Sequence, residues 1–332
     1  MGTVREASLS VSYNGKNVTD TINKCLSEAT YTDVASGETD TISLILTDEK
    51  NRWINEWFPV EGDYISAVIN QKNWSKPDDN KSLSCGKFLI DDYDFSGYPD
   101  TFNLKGISCP IDTDFSSTQK TKPWNKTTIK SIATKLAKAA GISLVFDATD
   151  QKIDKQEQSD KTDMAFLFEL CESYGLAMKI YNSKLIIFSE VSYEKKKTIG
   201  TINKDECSGY SLTGTLVGTY HGVSMKYTNS KTNKTLSYTY METEGKRILK
   251  VIEKADNLAD AEIKAKARLR KANKAARTIT LELKGNIKYV AGTCYDVTGF
   301  GKFNGKYYID KAIHNFNDGY TVSLQMHKVL TY

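Results

Sequence analysis

Three histidines (His221, His314, His327), six cysteines and a cluster of aspartates are the groups in this 332-residue chain that could do chemistry. Cys294 with His314 can be written as a thiol nucleophile and its base. Cys294, however, sits in an alternating strand pattern, where a small buried residue is the ordinary expectation. Asp91, Asp92 and Asp94 could supply a glycosidase pair or a cation site. Yet Asp91 recurs as Asp310 in a similar stretch, which points to a repeated structural role such as strand-end hydrogen bonding. Seven Lys/Arg between Lys264 and Arg277 could meet phosphates. On an alanine-rich helix without interleaved aromatics they read instead as a solvated or protein-facing surface. HExxH, GxSxG, GxxxxGK[ST] and GxGxxG are all missing from the sequence, so zinc-peptidase, serine-hydrolase and nucleotide-binding readings lose their usual support. No CxxC pair suggests a zinc ribbon or a disulfide framework. No catalytic, cofactor-binding or metal-ligating residue is therefore assigned, and no cofactor is expected.

A hydrophobic content of 39% suits two or three well-packed domains. The first residues lack an apolar run of signal-peptide length, and no stretch reaches the roughly 18 apolar residues of a membrane span. This predicts a chain made in a cytoplasm, with no membrane insertion. The net charge of +4 hides an asymmetry. Residues 1–110 carry 10 Lys/Arg against 17 Asp/Glu, residues 111–199 carry 14 against 12, and residues 200–332 carry 21 against 12. A basic C-terminal part can meet nucleic acid, or the acidic N-terminal part of another copy.

The elements around these residues are mostly strands at both ends. "DTISLILTD" places Ile42, Leu44 and Leu46 on one face, "DYISAVI" continues, and "GKFLIDDYDFSGYPDTFNLKGIS" reads as two strands about a Gly-Tyr-Pro-Asp turn. The last third repeats this order. "TISLIL" matches "TITLEL" (278–283), "VEGDYISAV" matches "VAGTCYDVT", "CGKFLIDDYDF" matches "NGKYYIDKAIH", and "FNLKG" matches "VSLQM". The shared Gly-Lys-aromatic-x-Ile-Asp at Gly86 and Gly305 favours duplication of one all-β unit. In that alignment His314 falls on Phe95, so a packing or hydrogen-bonding histidine is expected rather than a catalytic one.

Between the repeats the pattern changes. In "PWNKTTIKSIATKLAKAAGISLVFD", Thr127 or Thr128 can cap a helix that buries Ile129, Ile132, Ala133, Leu136 and Ala140. In "SDKTDMAFLFELCESYGLAMKIYNSKLIIFSE", Asp160 or Thr162 caps a helix burying Phe166, Leu167, Leu170 and Cys171. Gly175 ends that helix, and two strands turn at Asn182-Ser183. A charged linker, "SYEKKKT", closes this part. Later, "ADNLADAEIKAKARLRKANKAAR" predicts a helix over 255–277, with Asp256 or Asn257 at its start. Leu258, Ala261, Ala265, Leu269, Ala272 and Ala276 lie near one face. The stretch before it reads as a polar hairpin insertion. The predicted class is α+β, mainly β: β-barrel or sandwich units at 1–110 and 200–332, the second interrupted at about 228–276, flanking a small α+β domain at 111–199.

Taken in order, "PWNKTTIKSIATKLAKAAGISL", "QSDKTDMAFLFELCESYGLAMKIYNSKLIIF", "ADAEIKAKARLRKA" and "VAGTCYDVTGFGKFNGKYYIDKAIHNFNDGYTVSLQM" resemble the baseplate hub proteins of contractile phage tails, the phage late control protein D-like family. The resemblance covers nearly the whole chain. It implies a structural protein and not an enzyme: a homotrimer whose two tail-tube-like units per chain form a pseudo-sixfold ring. That ring would join the hexameric tail tube to the trimeric central spike, with other baseplate proteins and the tape measure protein as further partners and no sequence-specific nucleic acid. Localisation would be a virion tail baseplate or a tailocin particle assembled in a bacterial cytoplasm. The type VI secretion spike hub is similar too, but a chain ending at Tyr332 leaves no room for its fused OB-fold and spike. An acidic first unit and a basic second unit would alternate around such a ring. The alternatives are a tail-associated peptidoglycan hydrolase, or a distal tail or tube-cap protein of a non-contractile tail.

Overall fold

A computed structural model describes residues 4–110, 114–228 and 234–332. The N-terminal part is built from β1 (Glu6–Tyr13), β2 (Lys16–Asn17), the short helix α1 (Thr19–Asn23), β3 (Leu26–Val34), β4 (Thr41–Thr47), β5 (Tyr64–Lys72), β6 (Lys81–Ser96) and β7 (Thr101–Ile107). In β4 the predicted alternation holds, with Ile42, Leu44 and Leu46 buried and the residues between them half-buried. This is the two-residue period of a strand with one face on a core.

The middle contains α2 (Asp114–Ser117), β8 (Gln119–Thr128), α3 (Ile129–Ala139), β9 (Ser143–Asp147), β10 (Lys152–Thr162), α4 (Asp163–Ser173), β11 (Leu176–Tyr181), β12 (Lys184–Ser189) and α5 (Glu190–Lys195). The hydroxyls of Thr128 and Thr162 cap α3 and α4, accepting from the backbone N–H of Ser131 at 3.1 Å and Ala165 at 3.2 Å. The apolar residues expected on both helices are buried and share one cluster with Leu185 and Ile187 of β12. Asn182 and Ser183, both at positive φ, turn β11 into β12. Two elements here differ from expectation. β8 and β10 form an antiparallel ribbon whose largely polar residues show no strand alternation. The stretch read as a charged linker begins inside α5, where Glu194 is buried.

The C-terminal part contains β13 (Thr201–Asn203), β14 (Cys207–Gly214), β15 (Gly222–Thr228), β16 (Thr235–Met241), β17 (Ile248–Ile252), α6 (Leu258–Lys274), β18 (Arg277–Lys284), β19 (Cys294–Thr298), β20 (Gly305–Asn317) and β21 (Gly319–Lys328). The insertion is more than a polar hairpin. β16, β15 and β17 make a separate sheet, and Val223, Met225 and Tyr227 pack on Ala261, Ala265 and Leu269 of α6. Asn257 caps α6 by accepting from Asp260 N–H at 3.0 Å. The helix is shorter than expected, and Leu258 at its start is exposed.

The duplication read from the sequence recurs in the topology. In the first unit the strands run β3-β4-β7-β6-β5-β1; in the second they run β14-β18-β21-β20-β19-β13. Each chain of matches agrees residue by residue. Leu104 stands opposite Tyr93 and Leu324 opposite Ala312, as the alignment requires. Both copies bulge at the aligned aspartates, between Ile90 and Asp92 and between Ile309 and Lys311. A bulge inserts one residue and bends the strand, so the shared Ile-Asp marks a bend within a strand rather than a strand end. Gly86 and Gly305, at φ of 104° and 139°, precede it with a backbone that glycine alone adopts easily. The departure from symmetry is at the margin: β13 runs parallel to β19, whereas β1 runs antiparallel to β5.

The sheet stays open, running from β14 to β2, and one hydrophobic cluster from Leu9 to Met326 serves both units. Gly106 is a tight point within it. A Cβ there would lie 2.9 Å from Phe88 Cβ and 3.1 Å from Leu89 O, and Phe88 is fully buried. The second copy carries Met326 at the matching place. Gly106→Ala is expected to destabilise the fold by about 1–3 kcal/mol through overpacking, read as a lower urea midpoint with an unchanged slope.

Candidate functional site

The two units meet along β20 and β3, whose antiparallel register sets Lys311 opposite Val34, His314 opposite Tyr31 and Phe316 opposite Ala29. Ala35 N–H extends the ladder by donating to Asp310 O at the bulge, 2.9 Å away. His314 is fully buried in this seam. Its Nε2–H donates to Tyr289 O at 3.0 Å, and its Nδ1 accepts from Tyr320 Oη at 2.7 Å. The ring lies nearly parallel to those of Tyr31 and Tyr320, with centroids 5.7 Å and 5.9 Å away. Burial pulls its pKa down to about 4, so the imidazole is neutral and both nitrogens are occupied.

Beside the seam, Lys179 of β11 enters from the middle domain. Its Nζ donates to Asp33 Oδ1 at 2.6 Å and lies 3.1 Å from Asp40 Oδ2, a less well-directed contact. Asp33 Oδ2 also accepts from Ala291 N–H of the second unit at 2.8 Å, and Asp40 Oδ1 from Val34 N–H at 2.9 Å. One buried cluster thus ties all three parts of the chain. Burial raises Asp40 to about 6, against the pull of Lys179, while the two aspartates hold the lysine above its usual range despite its own burial.

A second buried cluster ties α5, α6 and the last strand. His327 shares Asp310 through Nδ1, 2.8 Å from each carboxylate oxygen, and its Nε2 lies 3.4 Å from Glu194 Oε1. Arg270 Nη2 donates to that same oxygen at 2.7 Å, and Leu330 N–H donates to Glu194 Oε2. Burial alone would lower His327, but the hydrogen bonds its ring donates to Asp310 and Glu194 carry it up to about 9. Burial likewise works against Glu194, yet His327 and Arg270 bring it down to about 2. At neutral pH this is a charged, satisfied network and has no free base.

The other residues singled out in the sequence do not converge. Cys294 Sγ faces the carbonyls of Tyr193 and Glu194, away from the partners of His314, and burial pushes its thiol up to about 11. Asp92 and Asp94 are exposed and paired with Lys105 at 3.0 and 3.5 Å. Among the described residues no three His, Cys, Asp or Glu side chains form a metal set. The basic helix is not a free surface: Arg268 pairs with Glu253, Lys271 with Glu172, and Lys274 with Glu190. A cleft of 960 Å³ between the middle and the insertion is lined by Lys155, Glu157, Tyr174, Glu253, Lys264 and Arg268, of which Lys264 and Arg268 already have acidic partners. Glu194 and Lys179, the residues that hold the parts together, carried no motif and went unnoticed in the sequence.

The fold and its seam define an internally duplicated, mainly β protein with the fold of phage tail proteins. A YQBQ-like family model matches residues 115–327, and the chain belongs to that family. No curated protein sequence matches it. Among solved structures it is similar to the tail protein from Neisseria meningitidis MC58, with a TM-score of 0.72 at 14% identity over 97% of this chain and 96% of that one. It is similar to the 43 kDa tail protein of prophage MuSo2 from Shewanella oneidensis, with a TM-score of 0.72 at 12% identity over 97% and 98%. A third is the E. coli c3393 protein, a component of the type VI secretion system described as similar to the T4 tail proteins gp27 and gp5 (TM-score 0.61, 11% identity, 97% and 77%).

Two measurements test the seam. Lys179→Met leaves two buried carboxylates without their cation and is expected to cost about 3–5 kcal/mol in urea unfolding. His327, raised from 6.5 to about 9 in the fold, contributes stability that is full below pH 6.5 and lost as pH rises through 9. Glu194, lowered to about 2, contributes above pH 4.5 and loses its contribution as pH falls through 2. Wild-type protein should therefore lose stability between pH 6.5 and 9.5 more steeply than His327→Gln.

Proposed function

We propose that this chain is the structural hub of a contractile tail baseplate, in a phage or tailocin particle, and acts as a homotrimer. Three copies supply six similar β units in a pseudo-sixfold ring, which joins a hexameric tail tube on one side to a trimeric central spike on the other. The observation that carries this reading is the repeated strand order within one chain, with its two copies already joined edge to edge. A protein that must match sixfold and threefold partners needs two like units per chain, and a head-to-tail contact can close such a ring. The fold shared with phage tail proteins supports it, as does the late control protein D-like resemblance of the sequence.

In this reading residues 1–110 and 200–332 are the ring-forming domains, and 111–199, with the insertion at about 228–276, lies outside the ring to meet other baseplate proteins. The role is not enzymatic: the buried histidines hold strands together. The particle is assembled in a bacterial cytoplasm. Sedimentation of the purified chain should give the mass of three copies, and electron micrographs should show a ring with a central channel. A monomer, a hexamer of whole chains, or a lytic band on a cell-wall zymogram would count decisively against it.

A further inference from the structure

The internal repeat also shows which strand edges in one unit lack the partner that their counterparts have in the seam. In the seam, residues 311–316 of β20 pair with residues 29–34 of β3. The matching stretch of the first unit is 92–97, the end of β6 and the turn residue Gly97 after it. There β6 pairs with β7 on one side, while its pairing with β5 stops at Leu89. The matching strand for β3 in the second unit is β14, which carries the same irregularity one residue after its start and, among the described residues, pairs with β18 alone.

Burial separates the joined pair from the unjoined one. Ala312 and His314 on β20 and Ala29, Tyr31 and Asp33 on β3 are buried. Their counterparts Tyr93, Tyr210 and Gly214 are exposed, and Phe95 and Leu212 are half-buried. Ala35 is 4% exposed in the seam, whereas Leu216, at the matching position after β14, is 78% exposed. An unpaired edge whose alternate residues are apolar, as Tyr93 and Phe95 are here and Tyr210 and Leu212 on β14, is a template for another strand.

We infer that the 92–97 edge of β6 in one copy pairs antiparallel with β14 of the next copy, repeating the β20–β3 seam between chains. The register follows from the repeat: Tyr93 opposite Gly214, Asp94 opposite Thr213, Phe95 opposite Leu212, and Ser96 opposite Ser211. The Phe95–Leu212 pair takes the place of the His314–Tyr31 pair. Two different edges make the contact heterologous, as a closed ring requires. This rests on the ring reading above and specifies its contact.

Asp94→Cys with Thr213→Cys tests it, because both residues are exposed and lie on strands separated by six others in the strand order, Thr213 on the edge strand and Asp94 on the stretch of β6 that β5 leaves unpaired. Directly opposite residues have Cβ atoms about 4.5–5.5 Å apart, close enough to cross-link with small shifts. Mild oxidation of the full chain should give covalent dimers and trimers on a non-reducing gel. Neither single variant, nor the out-of-register pair Asp94→Cys with Ser211→Cys, should give them to the same extent. A wild-type trimer whose Asp94→Cys/Thr213→Cys variant gives no ladder, or none above these controls, overturns the edge pairing and leaves the ring reading standing. A monomer at every concentration overturns both.

Discussion

The structure depends on the hydrogen-bonded seam between β3 and β20, which joins residues separated by most of the chain. Edge pairing alone leaves a sheet free to slip, because a one-residue shift turns every side chain to the other face. Here the register is held by what flanks the ladder. His314 packs between Tyr31 and Tyr320 with both nitrogens engaged, and Asp33 holds Ala291 N–H and Lys179 at once. A slip would bury unpaired polar atoms at each of these points, at about 1–3 kcal/mol apiece.

The middle domain is fastened to this seam mainly by polar contacts rather than by a continuous apolar core. Its hydrophobic cluster is separate from the one spanning the β units. The connection runs through Lys179 with Asp33 and Asp40, through Glu194 with Arg270 and His327, through neutral hydrogen bonds of Ser36 with the Met178 backbone and of Ser108 with Ile180 O, and through a small cluster of Ala35, Cys294 and Tyr308 with Tyr193. Buried ion pairs are weak sources of net stability but costly to break singly. They therefore orient the domains more than they strengthen them.

Much of this was legible in the sequence because the signals were local or repeated. Alternation in "TISLIL" and "TITLEL", the threonine caps of α3 and α4, and the shared Gly-Lys-aromatic-x-Ile-Asp each follow from backbone geometry over a few residues. The β8–β10 ribbon was not legible, since its partners are largely polar and no periodicity marks them. Nor was the role of Glu194: in "SYEKKKT" it reads as one charge among several, and only the fold brings Arg270 and His327 to it. The histidines of the closing strand pair looked like chemistry for the same reason, since a buried partner set has no sequence spacing.

Charge offers a last constraint on how copies would choose each other. The counts give the first part about −7 and the last about +9, which invites a picture of units held by their opposite fields. Yet Lys264, Lys266, Arg268, Arg270, Lys271 and Lys274 all have acidic partners within the chain. Lys105 likewise sits between Asp92 and Asp94 at the first unit's outer edge. The field left for another copy is smaller than the counts imply, and exposed pairs contribute at most about 1 kcal/mol each. Residual charge of this kind speeds encounter and discourages wrong orientations. In the proposed ring, strand register and apolar cover at the edges would then supply the affinity, as they hold the seam inside the chain.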